Sequence, residues 1–300
     1  MFKIKSRYHN ACIAFALAGC AAWGTSFATG ITHHAIEPIL NDHATVDYGS
    51  SISPDGSTMY FTRAASDFSS RQLMVARLDD GKVVDVQPLL LGGKSIKGGD
   101  VQISPDGQTL TFCAELAIDR DAERKDRDLY YSTKTSTGWS APKRFPDTIN
   151  TTSGEFYPVL THSGNLYFSR ANEQTSMDVY VSEWVEGNYQ PARKLGGNIN
   201  TDLLESDAYI SPDESFMLFV RMYEEGALGV SDIYLSRNTE NGWSKPENLG
   251  PTVNFAGVDG SPFVTQDKQW LYFTSNRDAS DPKKFDTHLG VFRFELNAVL

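Results

Sequence analysis

Short apolar runs bounded by turn residues recur along the chain from about residue 46 to residue 294. The most apolar of them are rich in aromatic and β-branched side chains and occupy 59–62, 110–112, 166–168, 217–220 and 271–274. Runs of this length and composition indicate buried β-strands. Outside the first 30 residues no segment keeps a 3.6-residue apolar period, so the pattern predicts an all-β protein with little helix.

A turn precedes each of these runs and shows that they belong to a repeat. Ser-Pro-Asp-Gly stands at 53–56 and again at 104–107, and related turns place Ser or Thr at 53, 104, 161, 211 and 265, in steps of 51, 57, 50 and 54. Proline presets the backbone of such a turn and glycine relieves its last position. A period near 50 residues suits a four-stranded propeller blade. We therefore assign the turn to the connection between strands a and b, with strand c at 73–75, 129–131, 179–181, 233–235 and 291–294.

Proline marks the fourth strand and indicates how the ring closes. Strand d carries Pro88, Pro142, Pro191 and Pro246 in the first four repeats and has no counterpart after the fifth strand c. The segment 35–40, with Pro38, resembles strand d and lies upstream of the first repeat. An edge strand can spare the N–H that proline lacks. The sequence thus predicts a five-bladed β-propeller of four-stranded antiparallel blades, closed by an N-terminal strand that completes the last blade.

The first 30 residues have the pattern of an export leader. A basic start with Lys3, Lys5 and Arg7 precedes a short apolar run at 11–19. That run is too short for a permanent bilayer span. It ends before Cys20 in a sequence that resembles the lipobox of bacterial lipoproteins, and an ordinary cleavage after Ala28 is the alternative. We expect a leader and linker over 1–30, one propeller domain over 31–300, and a periplasmic protein or a lipoprotein anchored in the outer membrane through Cys20.

Charge and cysteine content narrow the choice of partners. The formal net charge is −11, so no global field attracts the chain to nucleic acid or to anionic lipid. After cleavage before Cys20, the chain would retain two cysteines, Cys20 and Cys113. This number excludes an intrachain disulfide framework. Cys113 lies in an apolar run, and we expect a buried, inert thiol there.

The repeats resemble a known family. The Ser-Pro-Asp-Gly turn, the Tyr-Phe-Thr/Ser-Arg and Asp-x-Tyr elements, and Gly-Trp-Ser-x-Pro at 138–142 and 242–246 are similar to the TolB-type, WD-like β-propeller repeat of bacterial envelope proteins. The resemblance covers about residues 35–300 and implies the propeller fold. Too few residues separate the leader from the closing strand for TolB's amino-terminal domain. The repeats alone do not carry over its partner-binding role.

Two sets of charged residues are candidate binding groups. Six positions before each turn Ser/Thr the repeats carry a carboxylate, except that the second has Gly98 and offers Asp100 two residues later; these acids are Asp47, Asp100, Glu155, Glu205 and Asp259. Converging carboxylates would attract a cation or a polar ligand, or they cap backbone N–H groups in their own blades. The arginines that close strand b are Arg63, Arg170, Arg221 and Arg277. They form either an anion-binding rim or ion pairs within and between blades.

These features favour a non-catalytic propeller that binds an envelope protein or a cell-wall glycan through its channel mouth or rim. We expect a monomer that needs no cofactor and binds no nucleic acid, and the oxygen ligands of the channel would suit calcium or another hard cation. The alternative is a carbohydrate-active enzyme, either a glycoside hydrolase or a polyuronate lyase. In five-bladed glycoside hydrolases three carboxylates surround the channel, and Asp47, Asp100 and Glu155 on three successive blades could take those places. No Gly-x-Ser-x-Gly, Walker or metal-binding His motif is present.

Overall fold

The computed structural model is a five-bladed β-propeller. It describes residues 36–42, 44–121, 123–124, 126–174, 176–278 and 285–296. The predicted leader, with Cys20 and the cleavage site after Ala28, lies outside these residues. The all-β prediction is confirmed, because the described part of the chain contains the 3-10 turn Gly250–Thr252 and no α-helix. That part also contains no helix long and apolar enough to cross a bilayer.

Each blade is an antiparallel sheet whose strands are lettered a to d from the channel outward. Blade 1 contains Val46–Ile52, Thr58–Ala64, Arg71–Asp79 and Lys82–Pro88, and blade 2 contains Gly98–Ile103, Thr109–Ala114, Asp128–Thr135, Gly138–Trp139 and Lys143–Arg144. Blade 3 contains Glu155–Leu160, Leu166–Ala171, Met177–Ser182 and Arg193–Lys194. Blade 4 contains Leu204–Ile210, Phe216–Met222, Ser231–Thr239, Gly242–Trp243 and Glu247–Asn248. Blade 5 contains Asp259–Val264, Trp270–Arg277, Phe285–Glu295 and, from the other end of the chain, Glu37–Leu40.

Two short ribbons lie outside the blades. One pairs Leu90–Leu91 with Lys94–Ser95, and the other pairs Trp184–Val185 with Asn188–Tyr189. In blades 2 and 4 strand d is split into two pieces. Pro142 and Pro246 lie at these interruptions, because proline has no N–H for the ladder.

The turns between strands a and b form as their sequence dictates. In blade 1 Gly56 N donates to Ser53 O at 2.8 Å, and the Ser53 hydroxyl accepts from Thr58 N at 2.9 Å and donates to Asp55. The same bonds recur around Ser104 in blade 2. These turns define one side of the molecule, here called the turn face. The opposite side, where strands b end and strands c begin, is the mouth face.

The N-terminal strand closes the ring as predicted. Glu37 and Pro38 pair with Arg293 and Phe292 of strand c in blade 5, and Leu40 pairs with Val291. Leu40 is buried in a core cluster that joins blades 1, 4 and 5. The strand therefore covers an edge of blade 5 that would otherwise be open.

Strand b supplies the centre of each blade. One phenylalanine per blade is essentially inaccessible to solvent, and these residues are Phe61, Phe112, Phe168, Phe219 and Phe273. Cys113, beside one of them, is also fully buried, as its apolar setting predicts. Every strand b is covered on both faces by neighbouring blades. Its sequence is therefore a continuous apolar run and does not alternate between apolar and polar residues.

Candidate functional site

Four of the predicted carboxylates form ion pairs inside their own blades. Asp47 receives two hydrogen bonds from Arg63, from Nε to Oδ1 and from Nη2 to Oδ2, each at 2.8 Å. The other pairs are Arg170 Nε with Glu155 Oε1 at 2.9 Å, Arg221 Nε with Glu205 Oε1 at 2.9 Å, and Arg277 Nη2 with Asp259 Oδ1 at 2.6 Å. All four carboxylates are buried.

Blade 2 shows that the acid and the arginine belong together. The acid is replaced by Gly98 and the arginine by Ala114, and these two residues face each other across strands a and b. In blade 1, Asp47 and Arg63 occupy the same opposed positions. A Cβ at Gly98 would come within 2.6 Å of the Cys113 carbonyl oxygen, so blade 2 has no room for the acid. The acids of strand a and the arginines of strand b, two separate sets in the sequence, therefore form one set of ion pairs.

Backbone N–H groups also hold three of these acids. Glu155 accepts from Thr151 N at 3.1 Å, Glu205 from Thr201 N at 3.0 Å, and Asp259 from Phe255 N at 2.7 Å. Burial raises the pKa of Glu155, and it raises the pKa of Asp259 to about 6 against the opposing effect of Arg277. These carboxylates bind groups of their own blade. The ligand-binding role predicted for them and for the arginines stays a prediction.

A different set of residues, one from each strand a, forms a ring at the channel. The ion-paired acids stand six positions before the turn Ser/Thr, whereas these residues stand four positions before it. Each strand a has a bulge there, and the residue at its centre has a left-handed backbone: Gly49 (φ 62°), Asp100 (57°), Tyr157 (50°), Asp207 (50°) and Ser261 (46°). A bulge of this kind bends the strand and redirects a side chain. Non-glycine residues adopt this backbone rarely and at a cost, and such positions cluster at functional sites.

Asp100 and Asp207 are the two acids of this ring. The Asp100 carboxyl accepts hydrogen bonds from Cys113 Sγ and from Tyr157 N, both at 3.3 Å. Asp207 accepts one from the Ser261 hydroxyl at 2.8 Å. Their backbone N–H groups donate to hydroxyls of the preceding blade, from Asp100 to Thr62 at 2.9 Å and from Asp207 to Ser169 at 3.1 Å. The bulges are therefore fastened across the blade interfaces.

A cavity of about 120 Å³ opens above these acids on the mouth face, here called the mouth. Blades 1 and 2 contribute its charged and phenolic groups, Tyr48, Arg71, Asp100 and Arg127. Blades 3 to 5 contribute Asp207 and most of the apolar lining, including Phe156, Met222 and Leu289. Asp47, Glu155, Glu205 and Asp259 do not line it. Most of the charged groups of the mouth thus lie on the side of blades 1 and 2, and most of its apolar side chains lie on the side of blades 3 to 5.

The electrostatics of the mouth set its two acids apart. Burial, followed by the charge of Asp100, raises the pKa of Asp207 to about 6. Burial also raises the pKa of Asp100, against the effects of Cys113, Arg71 and Tyr157. An acid such as Asp207, whose charge is disfavoured by burial and by a second acid, can retain a proton close to neutral pH. The pair can donate and accept hydrogen bonds, and it can neutralise a cationic group.

Tyr157 closes the channel beneath the mouth. Its side chain is almost fully buried, and its hydroxyl donates to the Pro262 carbonyl oxygen at 3.3 Å, linking blade 3 to blade 5. Toward the turn face the channel leaves a space of only about 30 Å³ around Pro54, Pro105 and Pro212. A ligand of the channel would therefore enter from the mouth face.

The proposed alternative catalytic set is separated by this arrangement. Asp47 and Glu155 are held by Arg63 and Arg170, and of the three acids only Asp100 lines the mouth. Asp207 was not among the predicted residues. The signal that finds it is its equivalence to Asp100, since both stand four residues before the turn serine.

Among the described residues, no three His, Cys, Asp or Glu side chains come together in a group that could hold a metal ion. The calcium hypothesis stays a prediction.

Comparison with known proteins supports the fold. No protein-family model matches the chain, and no curated protein matches it. A candidate TolB from Agrobacterium tumefaciens matches at TM-score 0.52 and 17% identity over 85% of this chain and 79% of that one. A thermostable family-43 glycoside hydrolase matches at TM-score 0.54 and 10% identity over 86% and 92%. A Dyadobacter fermentans protein of unknown function matches at 0.50 and 13% over 87% and 98%. The TolB-like propeller fold predicted from the repeats is confirmed.

Proposed function

We propose that this protein is an exported, non-catalytic propeller that binds a protein partner or another envelope component through the mouth. The observation that carries the proposal is that the carboxylates fall into two groups, one held in ion pairs and one lining the cavity. The repeat acids are neutralised inside their blades, whereas Asp100 and Asp207 line an open cavity at strained backbone positions. A hydrolase would need ionisable carboxylates on both sides of one reacting bond.

The surface beside the mouth supports a macromolecular partner. Tyr223 and Leu228 lie in the loop between strands b and c of blade 4, on the mouth face, and are 56% and 42% exposed. Large exposed apolar side chains next to a polar cavity are typical of a docking surface. The basic and apolar leader with Cys20 supports export to the periplasm. The fold relationship to a candidate TolB is compatible with that compartment.

Site-specific photocrosslinking in intact cells tests the binding role. A photoreactive residue at Tyr223 should give one discrete adduct that disappears when Asp207→Asn is added. The same probe at Asp213, an exposed position on the turn face, is the matched control and should not give that adduct. An adduct that forms equally from both positions, or that persists in Asp207→Asn, would contradict the proposal.

A carbohydrate-active enzyme is the second candidate, and the Asp100–Asp207 pair is the observation that favours it. A carboxyl whose pKa is raised to about 6 can act as a general acid near neutral pH. Product release from plant, algal and cell-wall polysaccharides tests this function. Activity that Asp207→Asn abolishes would replace the binding proposal with catalysis at the mouth. Activity that Glu155→Gln abolishes while Asp207→Asn does not would instead favour the set based on Asp47, Asp100 and Glu155.

A further inference from the structure

A second cavity, of about 550 Å³, lies between blades 3 and 4 and shares no lining residue with the mouth. We call it the blade 3–4 groove. Tyr167 and Val181 of blade 3 form its floor, and Trp243 and Asn238 of blade 4 form the opposite side. Its volume is within the range of small-molecule sites, about 300–1,000 Å³.

Glycines in the connection between the blades help to make the groove. Gly196 and Gly197 follow strand d of blade 3, where the corresponding connection after blade 2 has Pro146 and Asp147. A Cβ at Gly196 would have no atom within 4 Å. Between blades 1 and 2 a two-stranded ribbon lies in the corresponding space. There the ribbon at 90–95 packs against blade 2, and Gly92 N donates to Trp139 O at 3.0 Å.

The groove has an aromatic wall that is preorganised. Trp243 packs edge-on against Tyr167, with ring centroids 6.4 Å apart and an interplanar angle of 82°. Tyr167 is itself fixed by a hydrogen bond from its hydroxyl to Glu214 at 2.8 Å. Trp243 remains half-buried, so part of its indole is available to a ligand. An ordered aromatic side chain offers contact area at a small cost in conformational entropy.

Polar groups surround this wall. The lining carries one excess negative charge, the Glu214 carboxylate, which already accepts hydrogen bonds from the hydroxyls of Ser163 and Tyr167. Asn198 Nδ2 donates to Trp243 O at 2.7 Å, and Asn238 Nδ2 donates to Glu214 O at 3.0 Å. These bonds hold both amides in place and leave each Oδ1 as an acceptor. On the rim, Glu183 and Arg193 form an exposed ion pair at 3.0 Å. Neighbouring amides, a compensated ion pair and an aromatic ring suit a ligand that has many hydroxyls, apolar C–H faces and no charge.

We propose that the blade 3–4 groove binds a neutral oligosaccharide. C–H groups of a sugar ring contact Trp243, and its hydroxyls hydrogen-bond to the side chains of Asn198 and Asn238. The groove shares no lining residue with the mouth and does not use Asp100 or Asp207, so this inference goes beyond the proposed function and does not depend on it.

Calorimetric titration of the whole protein tests the proposal, with cellotetraose, xylotetraose and chitotetraose as probes. We expect at least one of them to bind. Gly196→Tyr should weaken that binding by about tenfold or more, because the new ring enters the groove while its Cβ meets no neighbour. Trp243→Phe should weaken it as well. Trp139→Phe is the matched control, since Trp139 makes the same edge-on contact with Tyr60 between blades 1 and 2. It should change the affinity by less than about twofold.

Three outcomes would overturn the proposal. One is the absence of binding by all three probes at millimolar concentration. Another is an equal loss of affinity in Trp139→Phe and Trp243→Phe with no effect of Gly196→Tyr, which would indicate a general effect on stability. The third is binding that Asp207→Asn abolishes and Gly196→Tyr leaves intact, which would place the sugar in the mouth. Melting temperatures of the variants show that each is folded.

Discussion

Asp207 occupies a position that costs stability, and this cost can be measured. Its pKa of about 6 in the folded protein lies above the value of about 3.9 expected in the unfolded chain. The folded state therefore holds the proton more tightly. The stability associated with this group is fully present below about pH 4 and is lost as pH rises through about 6.

Asp207→Asn should consequently stabilise the protein at neutral pH. We expect the free energy of unfolding to rise by about 1–3 kcal/mol at pH 7.5, with the gain mostly gone at pH 4. Urea unfolding at both pH values measures it, with the exposed Asp202→Asn of the same blade as the control. A variant that is less stable than the wild type at pH 7.5 would show that the Asp207 carboxylate is a structural group.

The repeat ion pairs lead to the opposite expectation. Glu205→Gln removes the fully buried carboxylate partner of Arg221, a residue that is 5% exposed, and leaves the partly exposed Glu224 at 3.1 Å as the remaining carboxylate. Removing one partner of such a pair costs about 3–5 kcal/mol. The double variant Glu205→Gln/Arg221→Met should lose about 1–3 kcal/mol less than the sum of the single changes. Additive losses in this double-mutant cycle would contradict the pairing. Blade 2, with Gly98 opposite Ala114, shows that strands a and b can pair without it.

At the scale of the element, local chemistry explains what the sequence could predict. The turns are determined by residues within a few positions of each other, as at 53–58, and strand b is recognised by its apolar run. Neither the turn residues nor the apolar runs predict the bulge in strand a. A left-handed residue interrupts the two-residue alternation of side chains, so counting back from the turn led to the ion-paired position of Asp47 and not to the channel position of Gly49. The six-residue spacing points to Asp100 only because Gly98 is not an acid, and it does not point to Asp207.

The closing strand is the element whose contribution is simplest to isolate. Leu40 is buried against strand c of blade 5, whereas Pro38, two residues earlier, is exposed. Leu40→Ala should lower the free energy of unfolding by about 2–4 kcal/mol. Pro38→Ala, its control in the same strand, should change it by less than about 0.5 kcal/mol. Chemical denaturation distinguishes the two, and equal effects would argue against closure by this strand.

For the molecule as a whole, closure also determines how copies of the chain meet. The outer edges of blades 2, 3 and 4 are two-residue strands next to Pro142, Pro191 and Pro246, which offer little backbone for pairing with another sheet. The net charge of −11 adds repulsion between copies. We expect light scattering to give the mass of one chain across a dilution series.

Removing residues 36–40 tests the same argument from the other direction. The deletion would uncover strand c of blade 5, Phe285–Glu295, which is 11 residues long and contains no proline. A long strand with unpaired N–H and C=O groups is a template for pairing with another chain. The deleted protein should therefore form dimers or larger species whose mass rises with concentration, while Pro38→Ala stays monomeric. If the deleted protein remained a folded monomer, the ring would not depend on its N-terminal strand, and the solubility of the propeller would have to arise from its charge alone.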